Sequence, residues 1–185
     1  RLAASRVTLD PLAIPDIALK LRRPEEAGID RVVNAWMGRR RYGAPLVIVD
    51  MGTATTFDVV DGDGAYAGGI IAPGVRLFAD ALAEHTAKLP YIELSRPDRA
   101  VGRDTVEAMR SGAVLGQAAM IDGLIERVQA ETGKCPVVAT GGNLPTLRPF
   151  LGTRFRACDS TLLLDGIDAV ARLMEKPARA RLRRG

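Results

Sequence analysis

Apolar residues along this chain change period several times, and each change marks an element. Leu46-Val47-Ile48-Val49 is an unbroken apolar run, the pattern of a strand buried on both faces, and Asp50 stands at its end. Gly52 permits a tight turn, after which Phe57 to Val60 reads as the returning strand. Asp61-Gly62-Asp63-Gly64 signals a second hairpin, so the stretch from Leu46 to Ile71 reads as three short strands. Before it, Val32, Val33, Ala35 and Trp36 share one side of a helix predicted over 28–41. Arg39, Arg40 and Arg41 suit the negative end of that helix, and Gly43 and Pro45 terminate it.

After the strands, Pro73-Gly74 opens a helix through His85, with Val75, Leu77, Phe78, Ala81 and Leu82 near helical spacing. A long helix is predicted from Thr105 to Thr132, broken near Gly112 to Gly116 and closed by Gly133. Pro136 to Thr140 reads as a buried strand entering Gly141-Gly142, and Leu162 to Met174 as a last helix. Residues 1–27 carry Pro11, Pro15 and Pro24 and read as loops and short strands.

Composition narrows the function classes. The chain has 185 residues, 47% hydrophobic and 26% charged, ordinary values for a protein with a real core. No apolar run approaches the roughly 20 residues of a membrane span and no signal-peptide pattern opens the chain, so the expected location is cytoplasmic. The net charge of +4 suggests nucleic acid until it is located. Lys176, Arg179, Arg181, Arg183 and Arg184 crowd the last ten residues, and without these five the remainder stands at −1. The basic character therefore belongs to a terminal tail, expected to be frayed and solvated. Cys135 and Cys158 form no CxxC pattern and His85 is the one histidine, which leaves little material for a zinc site or a Ser-His-Asp triad.

Candidate chemistry concentrates in Asp50-Met51-Gly52-Thr53-Ala54-Thr55-Thr56. A strand entering a glycine and hydroxyl turn can aim backbone N–H groups and hydroxyls at one anion, and phosphate is the obvious one. Thr55 and Thr56 are equally at home as ordinary β residues. Asp30 lies in Gly28-Ile29-Asp30-Arg31, beside a fixed cation and just before an apolar helix. It reads either as a general base or as a helix N-cap. Thr105 can cap the long helix or face a ligand. Gly141-Gly142 after a strand permits close backbone approach to a flat ligand, or makes a plain turn.

These segments occur in a fixed order together with Gly68-Gly69-Ile70-Ile71-Ala72-Pro73-Gly74, Thr86-Ala87-Lys88-Leu89-Pro90, Gly102-Arg103-Asp104-Thr105 and Ala139-Thr140-Gly141-Gly142. In kind, order and spacing, from about Pro24 to about Leu173, the chain resembles the type III pantothenate kinases. The resemblance implies an α/β fold of the actin and sugar kinase (ribonuclease H-like) class, three antiparallel strands followed by alternating helices and strands. It implies ATP-dependent phosphorylation of pantothenate, the first step of coenzyme A biosynthesis, by a homodimer.

Residue by residue, the resemblance makes Asp30 the base that takes the proton of the pantothenate hydroxyl. Gly28, Ile29, Arg31 and Thr105 become substrate contacts, with Ile29 standing where the family motif has alanine. Thr53 would contact the nucleotide phosphates, Gly141 and Gly142 would face the adenosine, and Asp50 would help hold a monovalent cation, potassium or ammonium, alongside Mg2+. The family's Tyr-Asp-Asn-Pro is Leu21-Arg22-Arg23-Pro24 here, and leucine donates no hydrogen bond to substrate. The chain starts at Arg1 and lacks the family's Asp-x-Gly-Asn-Thr turn, so it is expected to be incomplete. The expected layout is a first-domain remnant and linking helix over 1–44, a second actin-like domain over 45–175 and a disordered basic tail over 176–185. The rival expectation is a non-catalytic paralogue that keeps nucleotide binding and acts as a regulatory or accessory protein.

Overall fold

A computed structural model describes residues 9–182 of the chain, with side chains through Met174. Its elements are α1 (Ile29–Tyr42), β1 (Leu46–Met51), β2 (Ala54–Val60), β3 (Tyr66–Pro73), α2 (Val75–His85), α3 (Thr105–Thr132), β4 (Val137–Thr140), α4 (Leu144–Leu147), β5 (Ala157–Cys158) and α5 (Leu162–Leu182). One five-stranded sheet has the order β3-β2-β1-β4-β5. Two residues join β1 to β2, a connection only an antiparallel pair can make. On its other side β1 runs parallel to β4, with Val47 opposite Val137 and Asp50 opposite Thr140. β4 in turn runs parallel to β5. The central place of β1 explains its unbroken apolar run: Leu46, Val47, Ile48 and Val49 are all at 0% exposure. This is the α/β, actin/sugar-kinase-like arrangement that the resemblance implied.

The chain divides into two compact units that do not follow chain order. Among the described residues, one comprises those up to Leu46, Asp58–Gly68 and those from Thr161 on; the other comprises Val47–Phe57 and Gly69–Ser160. In the first, α1 and α5 pack together, closely enough that a Cβ on Gly166 would stand 2.6 Å from Val33 Cγ1. Val32, Val33, Ala35 and Trp36 supply the buried side of α1, as their spacing predicted. The proline-rich leader adds a short extended piece. Tyr66 N–H donates to the Ala18 carbonyl and Lys20 N–H donates to the Tyr66 carbonyl, both at 2.9 Å.

In the second unit α2 lies against α3. The predicted break in α3 is absent: the helix runs unbroken from Thr105 to Thr132. Each glycine costs about 1 kcal/mol relative to alanine, but burial of Ser111, Ala113, Val114, Gln117, Ala118 and Ile121 along the helix outweighs that. Gly112 and Gly116 stand on its open side. The last helix, expected to end at Met174, continues to Leu182. The side chains of its final turns, and residues 183–185 of the expected tail, lie outside the described residues.

Candidate active site

The second unit builds the candidate turn between β1 and β2. Gly52 N–H donates to the Ala54 carbonyl at 3.1 Å, which folds the chain sharply after Asp50, and Thr53 is left exposed at the tip. Two other loops hold this turn. Gly74 N–H donates to the Thr53 carbonyl at 2.9 Å, and a Cβ on Gly74 would lie 2.4 Å from both the Gly52 and Thr53 carbonyl oxygens. Only glycine therefore fits there, and the Pro73-Gly74 segment, which starts α2 as the sequence predicts, also braces the turn. On the other side, Asn143 N–H donates to the Met51 carbonyl and its Nδ2 donates to the Gly52 carbonyl, each at 2.8 Å.

The Gly141-Gly142 pair divides its roles. Gly141 has φ +98°, and a Cβ on it would lie 2.5 Å from Asp50 Oδ1 and from Met51 N. Gly142 has no atom within 4 Å of the same position. The first glycine is thus required where β4 ends beside Asp50, as the parallel pairing of Asp50 with Thr140 places them. Behind the turn, the buried amide of Gln117 on α3 donates to Thr55 Oγ1 at 2.8 Å and to the Pro73 carbonyl at 3.0 Å. Thr55 is therefore a buried structural partner, while Thr53 is the exposed hydroxyl.

Thr105 is exposed at the first residue of α3, and it is not the cap. Asp104 is, its Oδ1 accepting from Glu107 N–H at 2.8 Å, while Glu107 Oε2 accepts from Arg103 N–H at 2.9 Å. Gly102 packs under this turn; a Cβ there would meet Ala108 N at 2.3 Å.

The first unit carries the acidic motif. The N-cap of α1 is Gly28, with no side-chain cap, and Asp30 is the helix's second residue. The N-cap reading of Asp30 therefore falls. Its carboxylate is exposed and folds back over Gly28, where a Cβ would stand 2.7 Å from Asp30 Oδ1. Arg31 turns the other way: its Nε donates to Asp58 Oδ1 at 2.7 Å. Tyr66 OH donates to that same oxygen at 3.0 Å, and the guanidinium lies 5.8 Å from the Tyr66 ring centroid. Burial, with the nearby Asp58 charge, holds the Tyr66 phenol well above its usual pKa. Leu21, the departure from the family's tyrosine, is half-buried, 3.5 Å from where a Cβ on Gly68 would be.

The sequence model of the type III pantothenate kinases matches residues 3–127. The chain belongs to that family. Curated relatives carrying the name are 43% identical over 181 residues in Thermomicrobium roseum, 44% over 156 in Acidiphilium cryptum and 50% over 147 in Thermus thermophilus. The aligned parts are 95%, 83% and 78% of this chain, and the chain spans 70%, 58% and 58% of those relatives. A solved structure described as a conserved putative Baf family transcriptional activator from Campylobacter jejuni superposes with TM-score 0.55 at 22% identity. That alignment covers 89% of this chain and 72% of the other, and at such identity the likeness concerns the fold alone.

For a type III pantothenate kinase the donor set at the turn fits a bound nucleotide. The exposed Thr53 hydroxyl is a group that phosphate oxygens can use, and the half-buried Asp50 carboxylate is one that a cation could use. Among the described residues no group of three or more His, Cys, Asp or Glu is placed to hold a metal ion. No helix among them is long and apolar enough to cross a membrane. Asn143, Gln117, Asp58 and Tyr66 went unread in the sequence, since each gains its meaning only from a partner in another element.

Proposed function

We propose that the protein is an ATP-dependent pantothenate kinase acting as a cytoplasmic homodimer. The observation that carries the reading is Asp30: an exposed carboxylate in the first turn of α1 that caps nothing, seated over a glycine and followed by an anchored arginine. A carboxylate so placed can accept the proton of the pantothenate hydroxyl as its oxygen attacks the γ-phosphorus and ADP leaves. Gly28, Ile29, Arg31 and Thr105 are the proposed substrate contacts, and Gly141 and Gly142 the adenosine side of the nucleotide site. ATP, when bound, supplies the phosphoryl group. Thr53 orients its phosphates and Asp50 shares a potassium or ammonium ion beside them. With one carboxylate at the turn, Mg2+ would be held by phosphate oxygens and water, the usual habit of that ion.

Support for a dimer comes from the open side of α3. Gly112, Gly116 and Met120, with Pro73 and Phe78, line an apolar cavity of about 190 Å³. Phe78 and Leu77 remain 41% and 48% exposed beside it. Two such faces can close on one another because glycines let backbones approach.

Asp30→Asn and Asp30→Ala test the proposal. Both should cut turnover by about 10²–10⁴-fold, and both should leave melting nearly unchanged, because no cap is lost. An Asp30→Asn enzyme with full turnover would remove this residue from catalysis. A complete gene product that binds nucleotide but never phosphorylates pantothenate would favour a non-catalytic relative.

A further inference from the structure

Asp58 is at 0% exposure, yet it is a carboxylate. A charge taken wholly out of water costs several kcal/mol, and a buried ion pair seldom repays more than that in stability. Its presence calls for a reason other than holding the fold. The structure offers one in Arg31, which immediately follows the proposed base and bonds Asp58.

Arg31 bonds Asp58 through Nε, the nitrogen on the stem side of the guanidinium. A bond at Nε fixes rotation of the planar fork about its last single bonds, so the terminal nitrogens hold one direction. Tyr66 adds two constraints. Its hydroxyl donates to the same carboxylate oxygen, so Asp58 cannot turn away, and its ring flanks the guanidinium. Tyr66 is itself fixed, at 1% exposure and with its backbone bonded on both sides to Ala18 and Lys20. The Asp61 to Gly64 turn returns β3 alongside β2 and so brings Tyr66 within reach of Asp58. Raised by burial, the phenol keeps its proton and stays a donor through the working pH range.

We propose that Asp58 and Tyr66 are positioning residues for Arg31, holding its guanidinium in the one orientation that receives the acidic substrate next to Asp30. The inference rests on the pantothenate kinase reading above. It is specific to Arg31: a lysine would restore the charge but has no stem nitrogen to be fixed.

The test uses the complete gene product and four variants: Tyr66→Phe, Asp58→Asn, Arg31→Lys and the double variant Tyr66→Phe with Arg31→Lys. Loss of a hydrogen bond to a charged group should raise KM for pantothenate about tenfold in Asp58→Asn and about threefold to tenfold in Tyr66→Phe. KM for ATP should stay put in both. In the Arg31→Lys background, Tyr66→Phe should add no further rise, because nothing remains to position. A purely structural Tyr66 would give the opposite pattern: a lower melting temperature, an unchanged KM for pantothenate, and effects that add in the double variant. That pattern, or equal rises in both KM values, overturns the proposal. If Asp58→Asn fails to fold, Tyr66→Phe and the double variant decide. A wild-type protein with no pantothenate turnover at all would overturn the functional reading and this inference together, whereas active but unaffected variants overturn this inference alone.

Discussion

Gly141 and its neighbour Gly142 offer an internally controlled test of how the turn between β1 and β2 is built. At Gly141 an alanine meets two costs. The backbone is at φ +98°, where an L side chain is strained by about 1–2 kcal/mol. The new Cβ would also lie 2.5 Å from Met51 N, 2.6 Å from Met51 C and 2.5 Å from Asp50 Oδ1. Met51 is backbone of the central strand, pinned to the far loop by the Asn143 N–H bond at 2.8 Å, so it cannot step aside cheaply. Relief of such overlap costs about 1–3 kcal/mol. Together the two terms come to about 2–5 kcal/mol, a drop of roughly 5–15 °C for a chain of this size. At Gly142 there is nothing within 4 Å and no positive φ, so alanine there should fall within about 0.5 kcal/mol of wild type. Thermal melts followed by far-ultraviolet circular dichroism measure both, with nucleotide affinity by calorimetry as a second readout. Gly141→Ala should lose stability and affinity together, since the displaced group is the Asp50 carboxylate. Equal melting of the two variants, or a larger loss at Gly142, would refute the argument.

Other consequences can be measured separately. Exchange of sodium for potassium or ammonium should raise turnover of the complete enzyme, and Asp50→Ala should abolish the response; equal rates in all three salts would take Asp50 out of cation binding. Gln117→Leu removes the amide shared by Thr55 and the Pro73 carbonyl, and should cost about 1–3 kcal/mol in urea unfolding. A silent Gln117→Leu would mean that the α3 brace is dispensable. Thiol labelling should separate the two cysteines. Cys158 is exposed, while Cys135 is half-buried with its pKa pushed up by desolvation. A raised thiol pKa leaves less thiolate near neutral pH, so Cys135 should label more slowly and gain more as pH rises. Equal rates at neutral pH would contradict that environment.

What the sequence by itself determined is the list of elements and the place of the chemistry along it. The Leu46–Val49 run reads as a strand covered on both faces, with Asp50 at its end. The spacing of Val32, Val33, Ala35 and Trp36 set the buried side of α1, and Gly133 marked the end of α3. These are properties of single residues or near neighbours, which periodicity and turn chemistry encode directly. Tertiary structure decided everything that depends on a pair. Asn143 holds Gly52 across 91 positions, Gln117 holds Thr55 across 62, and Arg31 reaches Asp58 across 27. No period in the chain reports such distances, because they arise from strand order and helix packing. The same reason separates Gly141 from Gly142, identical in sequence and adjacent, one pressed against Met51 and the other open. It also gave Asp30 its character: in sequence a cap and a base look alike, and only the N-cap at Gly28, one residue before α1 starts, leaves the carboxylate with no helix N–H to cap.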